Sequence, residues 1–278
     1  MLASPEGIGY NYFMDIQRPT LSILKSWASE AGKVLRDGYG KRHQIRYKGV
    51  ADLVTEIDQR SEDLLVSKIR QHYPTHSILA EESGRLNGDH DSCWCIDPLD
   101  GTTNYAHGLP FFSVSLAYAE KGKVQMGVVL DPMLGECFSA ERGKGAWLND
   151  ESIHVSKTSN LIEGLLATSF PYEFEDSRVR NLNYFSRFIK LTQSIRRMGS
   201  AALELCYVGA GRLDGYWEVK LHPWDVAAGG LIVEEAGGVV TNLDGTVDYV
   251  SPPCATVAAN PMIHRHMMAV MEQVAEER

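Results

Sequence analysis

The sequence predicts a mixed α/β protein, α+β in its first half and α/β in its second. Two observations carry this. Strand-like segments joined by short turns follow one another between residues 111 and 149, and strand and helix patterns alternate after about Ser156. The 278 residues, 44% hydrophobic and 23% charged, suffice for one large domain or two ordinary ones. A soft boundary near residue 155 separates an α+β half, 1–155, from an α/β half, 156–278, the two able to count as one compact domain.

In chain order, "TLSILKSWASEAGKVLRDG" sets Leu21, Leu24, Ala28 and Ala31 at helical spacing and stops at Gly38 after Lys33 and Arg36, a basic last turn followed by a residue that ends helices. A second helix fits "QRSEDLLVSKIRQHY", between Asp58 and Pro74. "SILA" is a short strand that stops at Glu81-Glu82, and "SCWCID", apolar at alternate positions, is a strand that ends at Asp97-Pro98. "FFSVSLAYAE", a Lys121-Gly122 turn, "KVQMGVVLD" and "GECFSAERGKGAWLN" form a meander. Beyond it come the apolar run "GLLATSF", a loop around "FPYEFEDSRVRN", a helix in "GSAALELCYVGAG" and a strand in "DGYWEV". A helix in "PWDVAAGGLIVEEAGG", the run "ATVAAN" and a last helix complete the chain.

The net charge of −9 disfavours direct binding to nucleic acid or to an anionic membrane, whose surfaces need an electropositive face. The first twenty residues carry no basic start with an apolar run behind it, and no later stretch approaches ~18 uninterrupted apolar residues, so the expected location is the cytoplasm. Five cysteines in no regular spacing argue against a disulfide scaffold, and Cys93 and Cys95, alternate residues of one strand, are expected in the core.

The chemistry starts at "WCIDPLDGTTNY". Pro98 prevents simple continuation of the strand, the turn brings Asp100 back beside Asp97, and Gly101-Thr102-Thr103 can open a helix whose N–H groups suit a phosphate. Two carboxylates that close repel unless a cation lies between them, and an all-oxygen donor set favours Mg²⁺ over zinc. Taken alone, Asp100 is equally well a helix cap and Asp97 a turn residue. Further acids stand at Glu81, Glu82 and Asp225, the last near a helix start marked by Pro223. An aspartyl-nucleophile loop of the D-x-D-G-T kind spaces its aspartates by two rather than three, so an attacking water fits better than a phosphoenzyme.

The ordered set "ADLVTEID", "ILAEES", "WCIDPLDGTTNY", "GSAALELCYVGAGRLDGYWE" and "HPWDVAAGGLIVEEAGG" resembles the inositol monophosphatase family of Mg²⁺-dependent, lithium-sensitive phosphatases over nearly the whole chain. The resemblance implies the layered α/β/α/β/α sandwich shared with fructose-1,6-bisphosphatase, a homodimer, and hydrolysis of myo-inositol monophosphate or another small phosphorylated polyol or sugar. It implies Glu81, Asp97 and the Leu99 carbonyl as ligands of one Mg²⁺, and Asp97, Asp100 and Asp225 as ligands of a second, with a weaker third site near Glu82. Glu81 and Thr102 would place the attacking water, and Asp58 would hold Thr102. Asp100, Gly101 and Thr102 would face the phosphate, while Gly199, Ser200, Ala201 and Glu218 would contact the organic moiety; Lys48 matches the lysine of a family loop near the metals. Relatives with the same metal motifs act on fructose 1,6-bisphosphate, 3′-phosphoadenosine 5′-phosphate or histidinol phosphate, and some bacterial members have a regulatory role in transcription.

Overall fold

A computed structural model describes residues 18–44, 46–47, 53–171, 176–252 and 254–277. Lys48 lies outside these residues. The first half begins with helix α1 (Leu21–Gly38), capped by the Thr20 hydroxyl, which accepts from the Ile23 N–H. A small hairpin of β1 (Arg46–Tyr47) and β2 (Leu53–Val54) leads into helix α2 (Glu56–His72). Then follow β3 (His76–Ala80), β4 (Gly84–Leu86), β5 (Asp89–Asp100), the short helix α3 (Thr102–Ala106), β6 (Ser113–Glu120), β7 (Lys123–Asp131), β8 (Glu136–Glu141), β9 (Gly145–Leu148) and β10 (Glu151–Ser152). These strands make one eight-stranded sheet in the order β10-β9-β8-β7-β6-β5-β3-β4, antiparallel except for the β3–β5 pair. The meander expected from residue 111 onward is β6 to β9 of this sheet.

After Leu161–Glu163, a 3₁₀ turn, the second half contains β11 (Leu165–Thr168), α4 (Asp176–Phe188), β12 (Ser194–Arg196), α5 (Ala201–Gly209) and β13 (Gly215–Leu221). It closes with α6 (Pro223–Glu235), β14 (Val239–Thr241), β15 (Cys254–Ala259) and α7 (Pro261–Glu276). A five-stranded mixed sheet, β12-β11-β13-β15-β14, joins these strands. The segment "FPYEFEDSRVRN", read above as a loop, is helical in its second half, from Asp176 onward, because α4 starts there.

Four buried clusters define five layers. Trp27, Leu35 and Leu65 of α1 and α2 pack with Trp94 and Leu116 on one face of the large sheet. On its other face Cys95, Ala117 and Val129 meet Ala202, Ala227 and Leu231 of α5 and α6. The same two helices turn Leu205, Val226 and Val233 to Tyr216 and Ala258 of the small sheet. Tyr184 and Phe188 of α4 and Met267 and Met271 of α7 cover that sheet's far face through Trp217 and Val257. The order is thus helices, sheet, helices, sheet, helices, the expected sandwich. α6 explains the near-absence of amphipathicity in "PWDVAAGGLIVEE": a helix between two sheets must be apolar all round. Cys95 belongs to the second cluster, and all five cysteines are free thiols. Among the described residues no helix is long and apolar enough to cross a membrane.

Candidate active site

The carboxyl end of β5, an interior strand between β3 and β6, is where the acids meet. Asp97 pairs with Ser115 of β6 and Asp100 with Ser113, so four residues on β5 span what three span on β6. This departs from the expected strand end at Asp97-Pro98: the strand continues to Asp100 through a bulge. Residues three apart normally face opposite sides of a sheet, and one extra residue restores them to the same side. Asp97 is 2% exposed and Asp100 8% exposed. The Leu99 N–H donates to Asp97 Oδ1 at 3.0 Å, and the Ser61 hydroxyl of α2 donates to the Pro98 carbonyl at 2.9 Å.

Parallel pairing sets Ala80 of β3 beside Ile96 of β5, and the Glu81 N–H extends the ladder by donating to the Ile96 carbonyl at 3.1 Å. Glu81 therefore leaves its strand alongside Asp97. Asp225 enters from the central layer as the third residue of α6, where its Oδ2 accepts from the His222 N–H at 2.6 Å. Burial pushes Asp97 far above the usual carboxylate range, and the charges of Glu81, Asp100 and Asp225 push it further. Burial also raises Asp225 strongly, opposed by the His222 N–H and reinforced by Glu81, Asp100 and Glu218. Among the described residues no three His, Cys, Asp or Glu side chains stand ready to hold a metal ion as they are placed. Strand pairing nevertheless sets Glu81 beside Asp97, the bulge turns Asp100 to the same side, and Glu81, Asp100 and Asp225 all oppose the charge of Asp97. The donor set fits a hard cation: Asp97 and Asp100 are buried, Glu81 and Asp225 half-buried, and carboxylates that oppose one another's charge are relieved by positive charge among them.

Asp100 is held by the start of α5. It accepts from the Ser200 hydroxyl, from the Ala201 N–H at 3.1 Å, from the Ala202 N–H at 2.9 Å and from the Ser113 hydroxyl at 3.3 Å. Burial raises its pKa and these donors pull it back. Ser200 and Ala201, matched above to the organic half of the substrate, thus also bind the acid. Gly101, at φ +96°, opens α3; a Cβ there would stand 3.1 Å from the carbonyl oxygens of both Gly199 and Phe111.

On the other side Asp58 completes a capping box with Thr55, the helix N-cap, and accepts from the Thr55 N–H at 2.9 Å. Its second oxygen accepts from the Thr102 hydroxyl at 2.9 Å, and that hydroxyl also lies 3.0 Å from the Leu99 carbonyl. One hydroxyl hydrogen cannot serve both acceptors. Given to Asp58, it leaves the Leu99 carbonyl open to a cation and turns a Thr102 lone pair toward the acids. Glu82 is half-buried just beyond Glu81.

Glu218 of β13 is 5% exposed and accepts from the Tyr216 hydroxyl at 2.5 Å; burial pushes its pKa up to about 8. The turn before α5 is tied on two sides. Asn104 donates to the Met198 carbonyl at 2.7 Å, and Glu204, fully buried, accepts from the Met198 N–H at 3.0 Å and the Ser169 hydroxyl at 3.3 Å. Sequence reasoning missed Ser113, Asn104, Ala202, Glu204 and Tyr216. Glu204 had a signal: it is the one acid inside the otherwise apolar "AALELCYVG".

A model of the inositol monophosphatase family matches residues 16–276. A Pasteurella multocida protein called Nus factor SuhB is 45% identical over 255 residues, covering 90% of this chain and 94% of that one. The crystal structure of the extragenic suppressor protein SuhB from Bartonella henselae superposes with a TM-score of 0.87 at 37% identity, covering 91% of this chain and 98% of that one. The inositol monophosphatase from Anabaena gives 0.79 at 43% identity, covering 91% and 95%. Fold and buried acids together define a phosphatase of the α/β/α/β/α sandwich class. Within that class the chain belongs to the inositol monophosphatase family.

Proposed function

We propose that this phosphatase hydrolyses myo-inositol monophosphate, with Mg²⁺ held by Glu81, Asp97, the Leu99 carbonyl, Asp100 and Asp225. The observation that carries the reading is the gathering of those groups at the end of β5 beside a buried acid, Glu218, that belongs to none of them. Bound Mg²⁺ supplies positive charge that offsets the negative charge developing on the phosphate and on the departing oxygen. Glu81 and the Thr102 hydroxyl position the attacking water, and Asp58 takes the Thr102 hydrogen so that the hydroxyl presents a lone pair to it. The water oxygen bonds to phosphorus, the P–O bond to the polyol breaks, and the polyol oxygen gains a proton; no phosphoenzyme forms. Glu218 accepts hydrogen bonds from polyol hydroxyls, and the Gly199-Ser200-Ala201 turn lies against the ring. The same reading carries a homodimer, a cytoplasmic location and inhibition by millimolar Li⁺.

The test is phosphate release with Mg²⁺ from inositol 1-phosphate, fructose 1,6-bisphosphate, 3′-phosphoadenosine 5′-phosphate and histidinol phosphate, with and without Li⁺. The expected result is the highest kcat/KM for inositol 1-phosphate and loss of that activity in Li⁺. A different best substrate removes the role given to Glu218, and full activity in saturating Li⁺ removes the expected lithium inhibition.

A second reading is the regulatory role in transcription that the resemblance implies for some bacterial members on the same fold; the Pasteurella relative is called a Nus factor. It predicts that the purified chain alters transcript elongation in a reconstituted reaction and that Asp97→Asn does so equally well. No effect from either protein removes it.

A further inference from the structure

Glu62 is a fully buried carboxylate of α2. Both its oxygens serve one turn: Oε2 accepts from the Glu82 N–H at 2.8 Å, while Oε1 accepts from the Ser83 N–H at 2.9 Å and from the Ser83 hydroxyl. Burying a carboxylate is costly and is tolerated where its lone pairs are filled. Here every donor comes from the two residues directly after Glu81.

Glu62 is not alone on its helix face. Residues three and four positions apart on a helix are neighbours, and Asp58, Ser61 and Glu62 are all fully buried. Asp58 reaches Thr102, Ser61 reaches the Pro98 carbonyl, and Glu62 reaches the Glu82–Ser83 backbone. One turn of one helix therefore touches the turn after β3 and the β5 bulge, which bear the acids of the large sheet, and the start of α3, which bears Thr102. A rigid template of this kind fixes relative positions that two flexible chain ends cannot fix for themselves.

We propose that Glu62 is a positioning residue for cation binding: by clamping the turn after β3 it holds the Glu81 carboxylate in place beside Asp97, with Ser61 and Asp58 setting the opposing segments from the same helix face. The inference rests on the cation reading of the preceding subsection.

The experiment is Mn²⁺ titration calorimetry on the EDTA-stripped full chain, without substrate, for the wild type, Glu62→Gln and Ser83→Ala, beside steady-state kinetics and thermal unfolding. Glu62→Gln keeps the volume but replaces one acceptor oxygen by an NH₂ group. It is expected to fold, to bind Mn²⁺ about 10- to 100-fold more weakly and to lose kcat in parallel. Its KM at saturating Mn²⁺ is expected to stay within about threefold of the wild type, because the phosphate and polyol contacts are untouched. Ser83→Ala removes one of the three donors and is expected to weaken Mn²⁺ by about threefold. A Glu62→Gln protein that melts earlier yet binds Mn²⁺ like the wild type overturns the proposal, since Glu62 then only satisfies buried amides. If Glu62→Gln does not fold, unchanged Mn²⁺ affinity in Ser83→Ala overturns it in the same way. A wild type that binds no Mn²⁺ overturns the cation reading itself, and this proposal with it.

Discussion

Asp97 sits just before the bulge of an interior strand, with burial and three neighbouring acids all opposing its charge. Asn in its place keeps the shape and removes that charge. Asp97→Asn is expected to lower kcat/KM for the phosphomonoester by at least about 100-fold, roughly 3 kcal/mol of barrier, and to melt no earlier than the wild type in EDTA, because mutual repulsion is relieved. Phosphate release and thermal unfolding check both; near-normal turnover would remove Asp97 from the cation site. Glu218 makes a separate prediction. A glutamate ordinarily titrates near 4.5, and Glu218 is pushed up to about 8 by burial. Between those values the folded state holds a proton that the unfolded chain has released, so this group makes stability fall as pH rises through the window. Glu218→Gln removes that slope. Its melting temperature in EDTA should therefore gain on the wild type between pH 5 and pH 8, and a constant difference would show that Glu218 is ionised throughout. The acids themselves were legible as residues. Their bonding was not: Asp58 at the third position of a capping box, rather than at the cap, still reaches Thr102.

At the scale of elements, the turn from β5 into α3 decides how Asp100 and Thr102 are presented. Gly101 is left-handed, and a Cβ there meets two backbone carbonyls at 3.1 Å. Gly101→Ala is expected to cost about 2 kcal/mol of stability, from the strained φ together with the contact, measurable as a lowered urea midpoint; an unchanged midpoint would mean the turn relaxes freely. The helices and the meander were readable because their periodicities are strong. α4 was not, for a specific reason. Asn181 occupies a core-facing position where the pattern calls for an apolar residue, with Tyr184 and Phe188 following on the same buried face. Asn181 accepts from the Trp217 indole at 2.6 Å and donates to the Ser169 carbonyl at 2.6 Å, so the fold keeps a polar group there that hydrophobic spacing alone reads as loop. β12 and β14, three residues each, are too short to show a period.

Across the whole molecule, α5 and α6 are shared by both sheets, and the site lies where the large sheet meets this central layer. β7 approaches α6 so closely that a Cβ on Gly127 would stand 2.8 Å from the Ala228 Cα, a backbone atom that cannot swing aside. Gly127→Ala is expected to cost about 1–3 kcal/mol by forcing the layers apart, seen as a lower denaturant midpoint with an unchanged slope. Because each sheet has one face bare without the shared helices, unfolding should also show a single transition. Two separate transitions would mean that the sheets fold independently.

By itself, the sequence determined the local elements with strong periods, the acids of "DPLD", "AEES" and "PWD", and the family to which that ordered set belongs. Tertiary structure decided what those acids do to one another. It brought Asp225 across from the central layer, turned an odd spacing into one face through the β5 bulge, and chose Ser200, Ala201 and Ala202 as the partners of Asp100. It also placed Glu62 beneath the turn after Glu81 and Glu204 behind Met198. The physical reason is range. Helix and strand propensities act over a few residues, whereas the burial that shifts a carboxylate's pKa and the donors that hold it come from segments far along the chain, set only when the layers close.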